Sequence, residues 1–120
     1  MTIDEFFADQ PLSRDIYEAV YRALQDLGPL EPRVMKTQIV FKRQRDFAWV
    51  WMPEKHLRRK AAPLVLSLAF RARDSSPRWK EIVEPRPGRF MHHLELYTPA
   101  DVDDEVRAWI KKSSDLAGMV

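Results

Sequence analysis

Apolar positions along the chain follow two rhythms. Between Ser13 and Gly28, Ile16, Val20, Leu24 and Leu27 recur every three or four residues with Tyr17 and Ala23 beside them, the stripe of a helix that buries one side. Ser13 reads as its N-cap and Gly28-Pro29 as its stop, because glycine takes the left-handed backbone that ends helices and proline cannot continue one. Ahead of it, Asp4–Ala8 suggests a short helical turn closed near Pro11. A second stripe, Val102, Val106, Trp109 and Ile110, follows Thr98-Pro99. Pro99 suits a first helical position, and Asp101, Asp103, Asp104 and Glu105 set negative charge at the positive end of the helix dipole.

Between the helices the period drops to two, as in strands. Val34–Lys42 sets Met35, Thr37, Ile39 and Phe41 against Lys36, Gln38, Val40 and Lys42. Phe47–Met52 sets Phe47, Trp49 and Trp51 against Ala48, Val50 and Met52, and with both sets bulky its orientation stays open. Leu64–Arg71 sets Leu64, Leu66, Leu68 and Phe70 against Val65, Ser67, Ala69 and Arg71. Arg89–Thr98 sets Phe90, His92, Leu94 and Leu96 against Met91, His93, Glu95 and Tyr97. Arg43–Asp46, the basic Glu54–Ala62 and the proline-bearing Asp74–Gly88 read as connections, the last with a helical turn at Arg78–Val83.

Short connections favour strands that pair with their sequence neighbours. The expected fold is α+β: a four-stranded antiparallel meander, its N- and C-terminal helices packed on one face, in a single domain over residues 1–120. Ile39, Leu66, Leu68 and Leu94 should then be buried together. Two helices cover only one face, so the other meets water, a ligand or a partner.

Composition narrows the possibilities. A chain of 120 residues, 45% hydrophobic and 32% charged, is globular in kind and too short for a second domain. The absence of cysteine excludes disulfides, thiolate zinc sites and cysteine nucleophiles. The acidic start does not resemble a secretory signal, and the nearly apolar run Ala61–Phe70 is about half of what a membrane span requires. A cytoplasmic protein without membrane partners is expected. Charge is segregated: residues 32–91 carry 15 bases against five acids, while both flanks are acidic. Acidic helices beside a basic sheet would account for this, and so would an anionic partner.

The candidate chemistry is sparse. His92 and His93 point to opposite faces of one strand and cannot share a metal, and His93 with Glu95 supplies only two ligands, so neither a metal nor a cofactor is expected. His92 reads as a core histidine. Only three glycines are present and none forms a phosphate loop, which excludes hydrolysis of the P-loop type. By parity Lys36, Gln38, Ser67, His93 and Glu95 share the outer face, joined by Trp49 and Trp51 if these point outward. That set would suit a small planar ligand or a stacked base. With Val40 and Val65 among it, the face is too apolar to be left wet, so a homodimer, a small-molecule ligand or the Asp74–Gly88 loop should cover it. The leading reading is a non-enzymatic binding domain. A second is an anion binder, or a non-specific but less favoured nucleic-acid binder, through Lys42, Arg43, Arg45, Arg71 and Arg73 at one sheet end, with Arg86 and Arg89 nearby. The basic run Arg58–Lys60 stands at the opposite end, roughly 20 Å away at the usual strand rise. Catalysis by His93, Glu95 and Lys36 ranks third, and no residue is assigned a catalytic role.

Several segments together resemble a bacterial family of uncharacterised single domains: Phe6–Pro11, the KTQI and FAWV stretches within Lys36–Val50, PRWKE at Pro77–Glu81, RFMHHLEL at Arg89–Leu96 and DDEVRAWI at Asp103–Ile110. Similar domains occur fused to larger bacterial proteins, some nuclease-like or labelled as transport proteins. Members often carry a His-Phe pair where this chain has Phe6-Phe7. The resemblance implies no activity and gives no residue a role.

Overall fold

The computed structural model describes residues 1–53 and 61–119. Most of the Glu54–Ala62 connection, with His56 and Arg58–Lys60, lies outside the described residues. Two short elements and two long helices frame the sheet. α1 is Ile3–Phe6, α2 is Pro11–Gln25, a 3-10 turn covers Pro99–Asp101 and α3 is Asp104–Ala117. The strands are β1 Arg33–Val34, β2 Ile39–Lys42, β3 Asp46–Trp51, β4 Leu64–Phe70, β5 Glu81–Arg86 and β6 Arg89–Leu96. All pairings are antiparallel, in the order β1-β2-β3-β4-β6-β5.

The sheet therefore has six strands among the described residues, where four were expected. One of the extra strands comes from dividing Val34–Lys42: the Met35 N–H donates to the Gln38 carbonyl (2.9 Å), closing a hairpin between β1 and β2. The alternation read across that stretch runs through a turn, which leaves Met35 exposed instead of in the core. The other is β5, expected as loop. Pro87-Gly88 is a hairpin turn of the kind that favours proline first and glycine second, with Gly88 at φ +77°. After β4 the chain passes beyond the β6 position to the sheet edge and β6 returns between, so the order is no simple meander.

Both long helices start elsewhere than expected. Pro11 opens α2, where its missing N–H costs nothing, and Ser13 sits within the helix with its hydroxyl donating to the Pro63 carbonyl (2.8 Å). α3 is capped by Asp103, whose carboxylate accepts from the Val106 N–H (3.1 Å). Thr98-Pro99 opens only the preceding 3-10 turn.

The core lies between the helices and one sheet face. Ile39, Leu66, Leu68 and Leu94 are buried there together, as the alternation predicted, with Ala48 and Val50 from β3. Phe47 breaks parity. Phe41 pairs with Ala48 and Lys42 with Asp46, so Phe47 is the extra residue of a bulge and turns into the core. α3 is fastened over this bulge by Ser113, whose hydroxyl lies 3.0 Å from the Phe47 carbonyl and 2.8 Å from that of Ala69.

The segment from Arg71 to Lys80 packs on the helical side and does not cross the outer face. The buried Trp79 donates its indole N–H to Asp74 (2.8 Å) and lies 4.2 Å from Trp109 between ring centres. Arg78 bonds Asp103 and Glu105 at the start of α3 (3.0 and 2.8 Å). His92 is a core histidine: its Nδ1 is 3.1 Å from the Phe90 carbonyl, and its Nε2 accepts from the Asp74 N–H (3.0 Å). At the other end of the core, Tyr17 stacks among Phe7, Tyr21 and Phe41. Its buried hydroxyl has no hydrogen-bond partner among the described residues, and burial pushes its pKa up. No helix among the described residues is long and apolar enough to cross a membrane.

Two outcomes follow from this packing. Trp109→Ala should cost about 3–5 kcal/mol in chemical denaturation, the scale for a buried large aromatic, and a loss under about 1 kcal/mol would show that Trp109 is not core. Tyr17→Phe should leave stability unchanged or raise it by about 1 kcal/mol, because it removes a buried hydroxyl that bonds nothing. A clear loss on removing that hydroxyl would mean that it is satisfied.

Candidate functional site

With Ala48 and Val50 inside, the pleat of β3 sends Trp49 and Trp51 to the outer face, which decides the orientation that the sequence left open. Register then sets one row across the sheet: Val40, Trp49, Ser67, His93 and Glu81 are successive cross-strand partners. The next row holds Trp51, Val65 and Glu95. Thr37, Gln38 and Met91 join Trp49, Trp51, Ser67 and His93 around an open trough of about 500 Å³.

A hydrogen-bond chain runs through its floor. The Trp51 indole N–H donates to the Ser67 hydroxyl (3.2 Å), and that oxygen is 2.6 Å from His93 Nδ1. An indole N–H can only donate, so Ser67 accepts from it, and the direction of its second bond, to Nδ1, follows the tautomer of His93. Burial lowers the His93 pKa below the ordinary 6.5, against the pull of Glu81, so the ring is neutral at pH 7.

Of the residues the sequence placed on this face, Gln38, Trp49, Trp51, Ser67 and His93 are brought together. Lys36 is exposed in the β1–β2 hairpin, and Glu95 stands beside Val65; neither lines the trough. The set His93, Glu95 and Lys36 is not assembled. Ser67 lies beside His93 but is buried on a central strand whose backbone N–H groups are taken up by the ladders. Val40 and Val65, expected as an open apolar patch, are buried beside the cross-strand indoles of Trp49 and Trp51. Thr37 was missed because its strand was read through the hairpin turn. Met91 had the right parity but no polar group to draw attention.

The basic end also regroups. Arg43 donates to the Ser114 hydroxyl (3.0 Å) and the Pro29 carbonyl (3.1 Å), tying α3 and the α2–β1 loop to the sheet. Arg73 lies over the Phe90 ring at 5.3 Å. Lys42 is exposed and lines no cleft described here. Arg45 and Arg71 instead meet Arg86 and Arg89 around a cleft of about 370 Å³, closed behind by Phe47, Phe70 and Ala117. No group of three or more histidine and carboxylate side chains among the described residues could hold a metal ion.

The family model of a domain of unknown function, DUF5655, matches residues 3–117. The chain belongs to this family. No curated protein and no solved structure matches it. Within this DUF5655 domain, FAWV supplies Trp49, RFMHHLEL supplies Met91 and His93, and PRWKE supplies the Arg78-Trp79 anchor.

The two strand histidines make stability depend on pH. Burial holds both His92 and His93 below 6.5, in His92 against the pull of the Phe90 carbonyl and Asp74. The unfolded chain therefore takes up protons first as pH falls. Stability should be complete above about pH 6.5 and decline below it, as the linkage relation requires. Burial would raise Asp74, but bonds from Trp79 and Ser76 outweigh it and hold that carboxyl below 3.8, so its own contribution is lost only at lower pH. Denaturation midpoints at pH 7.5, 6.5 and 5.5 check this, and equal midpoints would show that the histidines titrate normally.

Proposed function

We propose that this protein is a binding domain, not an enzyme, and that the outer-face trough takes a small planar ligand. The observation that carries the reading is the Trp51–Ser67–His93 chain beneath an open aromatic floor. Two half-buried indoles offer flat apolar area, while the His93 ring, held by Ser67, and the Gln38 amide add polar groups. A site of this kind selects a flat molecule with a hydrogen-bond acceptor at its edge. Lys36 and Glu95, which a proton-transfer reaction with His93 would have used, do not line it. A second copy on this face is the less favoured occupant, because the two valines that would have anchored it are buried within the chain.

Titration with a panel of neutral heteroaromatic compounds, free nucleobases included, tests this through tryptophan fluorescence and thermal unfolding. A ligand present at a hundred times its Kd should stabilise the fold by about 2.7 kcal/mol. Ser67→Ala should weaken that response by removing the hydroxyl that orients both Trp51 and His93, and Trp49→Ala should abolish it. An unchanged spectrum and melting curve across the panel would end the proposal.

A further inference from the structure

The Pro87-Gly88 turn makes Arg86 and Arg89 direct cross-strand partners. Like charges placed opposite one another destabilise a hairpin, so this pairing calls for a counter-charge. Arg45, from the β2–β3 turn, and Arg71, just after β4, add to it, and all four line the cleft of about 370 Å³ at this end of the sheet. Among the described residues no carboxylate forms an ion pair with any of them. Asp46 lends Arg89 only its backbone carbonyl (3.2 Å), while its carboxylate bonds Arg33 (3.0 Å). The Glu84 carboxylate accepts from the Gly88 N–H (3.1 Å). The last turn of α3 forms part of the far wall, and its dipole opposes an anion. That end is worth about half a negative charge, against four guanidiniums, and the Ala117 carbonyl already accepts from the Gln44 N–H (3.1 Å).

We propose that this cleft binds the phosphate of a compact phosphorylated molecule. Guanidinium groups present planar pairs of donors that match phosphate oxygens, and four converging on one concavity can surround a phosphate or pyrophosphate. Their convergence also separates a compact anion from a nucleic-acid backbone, which is held by contacts spread along a surface. Arg89 feels the crowding: burial, with the like charges of Arg86 and Arg45, lowers its pKa against the pull of Asp46. The same guanidinium lies 5.7 Å over the Trp49 ring, so the cleft adjoins the aromatic trough although its binding does not depend on it.

Arg45, Arg71 and Arg86 are exposed and hold no other part of the fold by a side-chain bond among the described residues, so they can be changed without unfolding the chain. Calorimetric titration of the whole protein with inorganic pyrophosphate should show saturable, one-to-one binding. Arg45→Gln and Arg86→Gln should each weaken it about tenfold or more, as expected when a charge-assisted bond is lost. Arg73→Gln removes the same charge from the same end outside the cleft and should leave binding nearly intact. A single-stranded oligonucleotide forms the second arm. No saturable binding at about millimolar pyrophosphate, or equal losses in Arg73→Gln and the cleft variants, would overturn the proposal. So would tight oligonucleotide binding without any response to pyrophosphate, which would make the surface a track for a phosphate backbone.

Discussion

The alternation of β4 is the constraint on which the rest of this structure depends. Leu64, Leu66, Leu68 and Phe70 face the helices, while Val65, Ser67 and Ala69 face the other way, and all but Ala69 are buried. A one-residue slip would drive Ser67 into the apolar core and turn the leucines outward, so the register is held by the burial of both sets at once. Because β3 and β6 pair with β4 on either side, the same constraint sets which of their side chains line the trough. Trp49 and His93 reach the outer face at the height of Ser67 through register alone.

Sites on a rigid sheet still need their supporting elements fixed. Here the support comes through buried polar groups. The Asp74 main chain and side chain satisfy His92 and Trp79 respectively, and Arg78 clamps the same loop to the start of α3. That loop covers the inner surface of β6, the strand whose outer surface carries Met91 and His93. Each of these polar groups has a partner, and a buried histidine or indole left without one would cost about 1–3 kcal/mol. The loop that looked like a cover for the outer face therefore serves the opposite side.

Much of the fold could be read from the sequence, and what could not has identifiable causes. Both long helices and the strands β3, β4 and β6 came from periodicity because each buries a full stripe or a full face. β5 shows no such pattern: it is a largely exposed edge strand, so its sequence Glu81–Arg86 carries no hydrophobic rhythm. The Pro87-Gly88 pair was its one local signal. The inward turn of Phe47 depends on a bulge, a property of the pairing and not of the strand's own sequence. Parity put Gln38, Ser67 and His93 on one face, left the orientation of Trp49 and Trp51 open, and placed Lys36 on a strand that ends before it. For the arginines, sequence could locate the end of the sheet but not tell which guanidiniums were already engaged. Arg43 is taken up by Ser114 and Pro29, whereas Arg86 and Arg89, read as lying near that end, are set opposite one another by an unforeseen hairpin.

Electrostatics separates the two surfaces by the kind of molecule each can hold. The trough contains a neutral histidine, a hydroxyl already bonded to Trp51 and His93, and two indoles, so charge entering it would lose water and gain little. The arginine cleft is the reverse: four guanidiniums line one concavity, and a bound anion would offset their mutual repulsion. Arg89 stands between them, one face against Trp49 and its donors toward the cleft, and an arginine so placed gives a cation–π contact worth about 0.5–1 kcal/mol. Arg89 also donates to the Asp46 carbonyl, which holds its guanidinium at the seam, so a flat neutral molecule and a compact anion would be taken up on separate sides of one side chain.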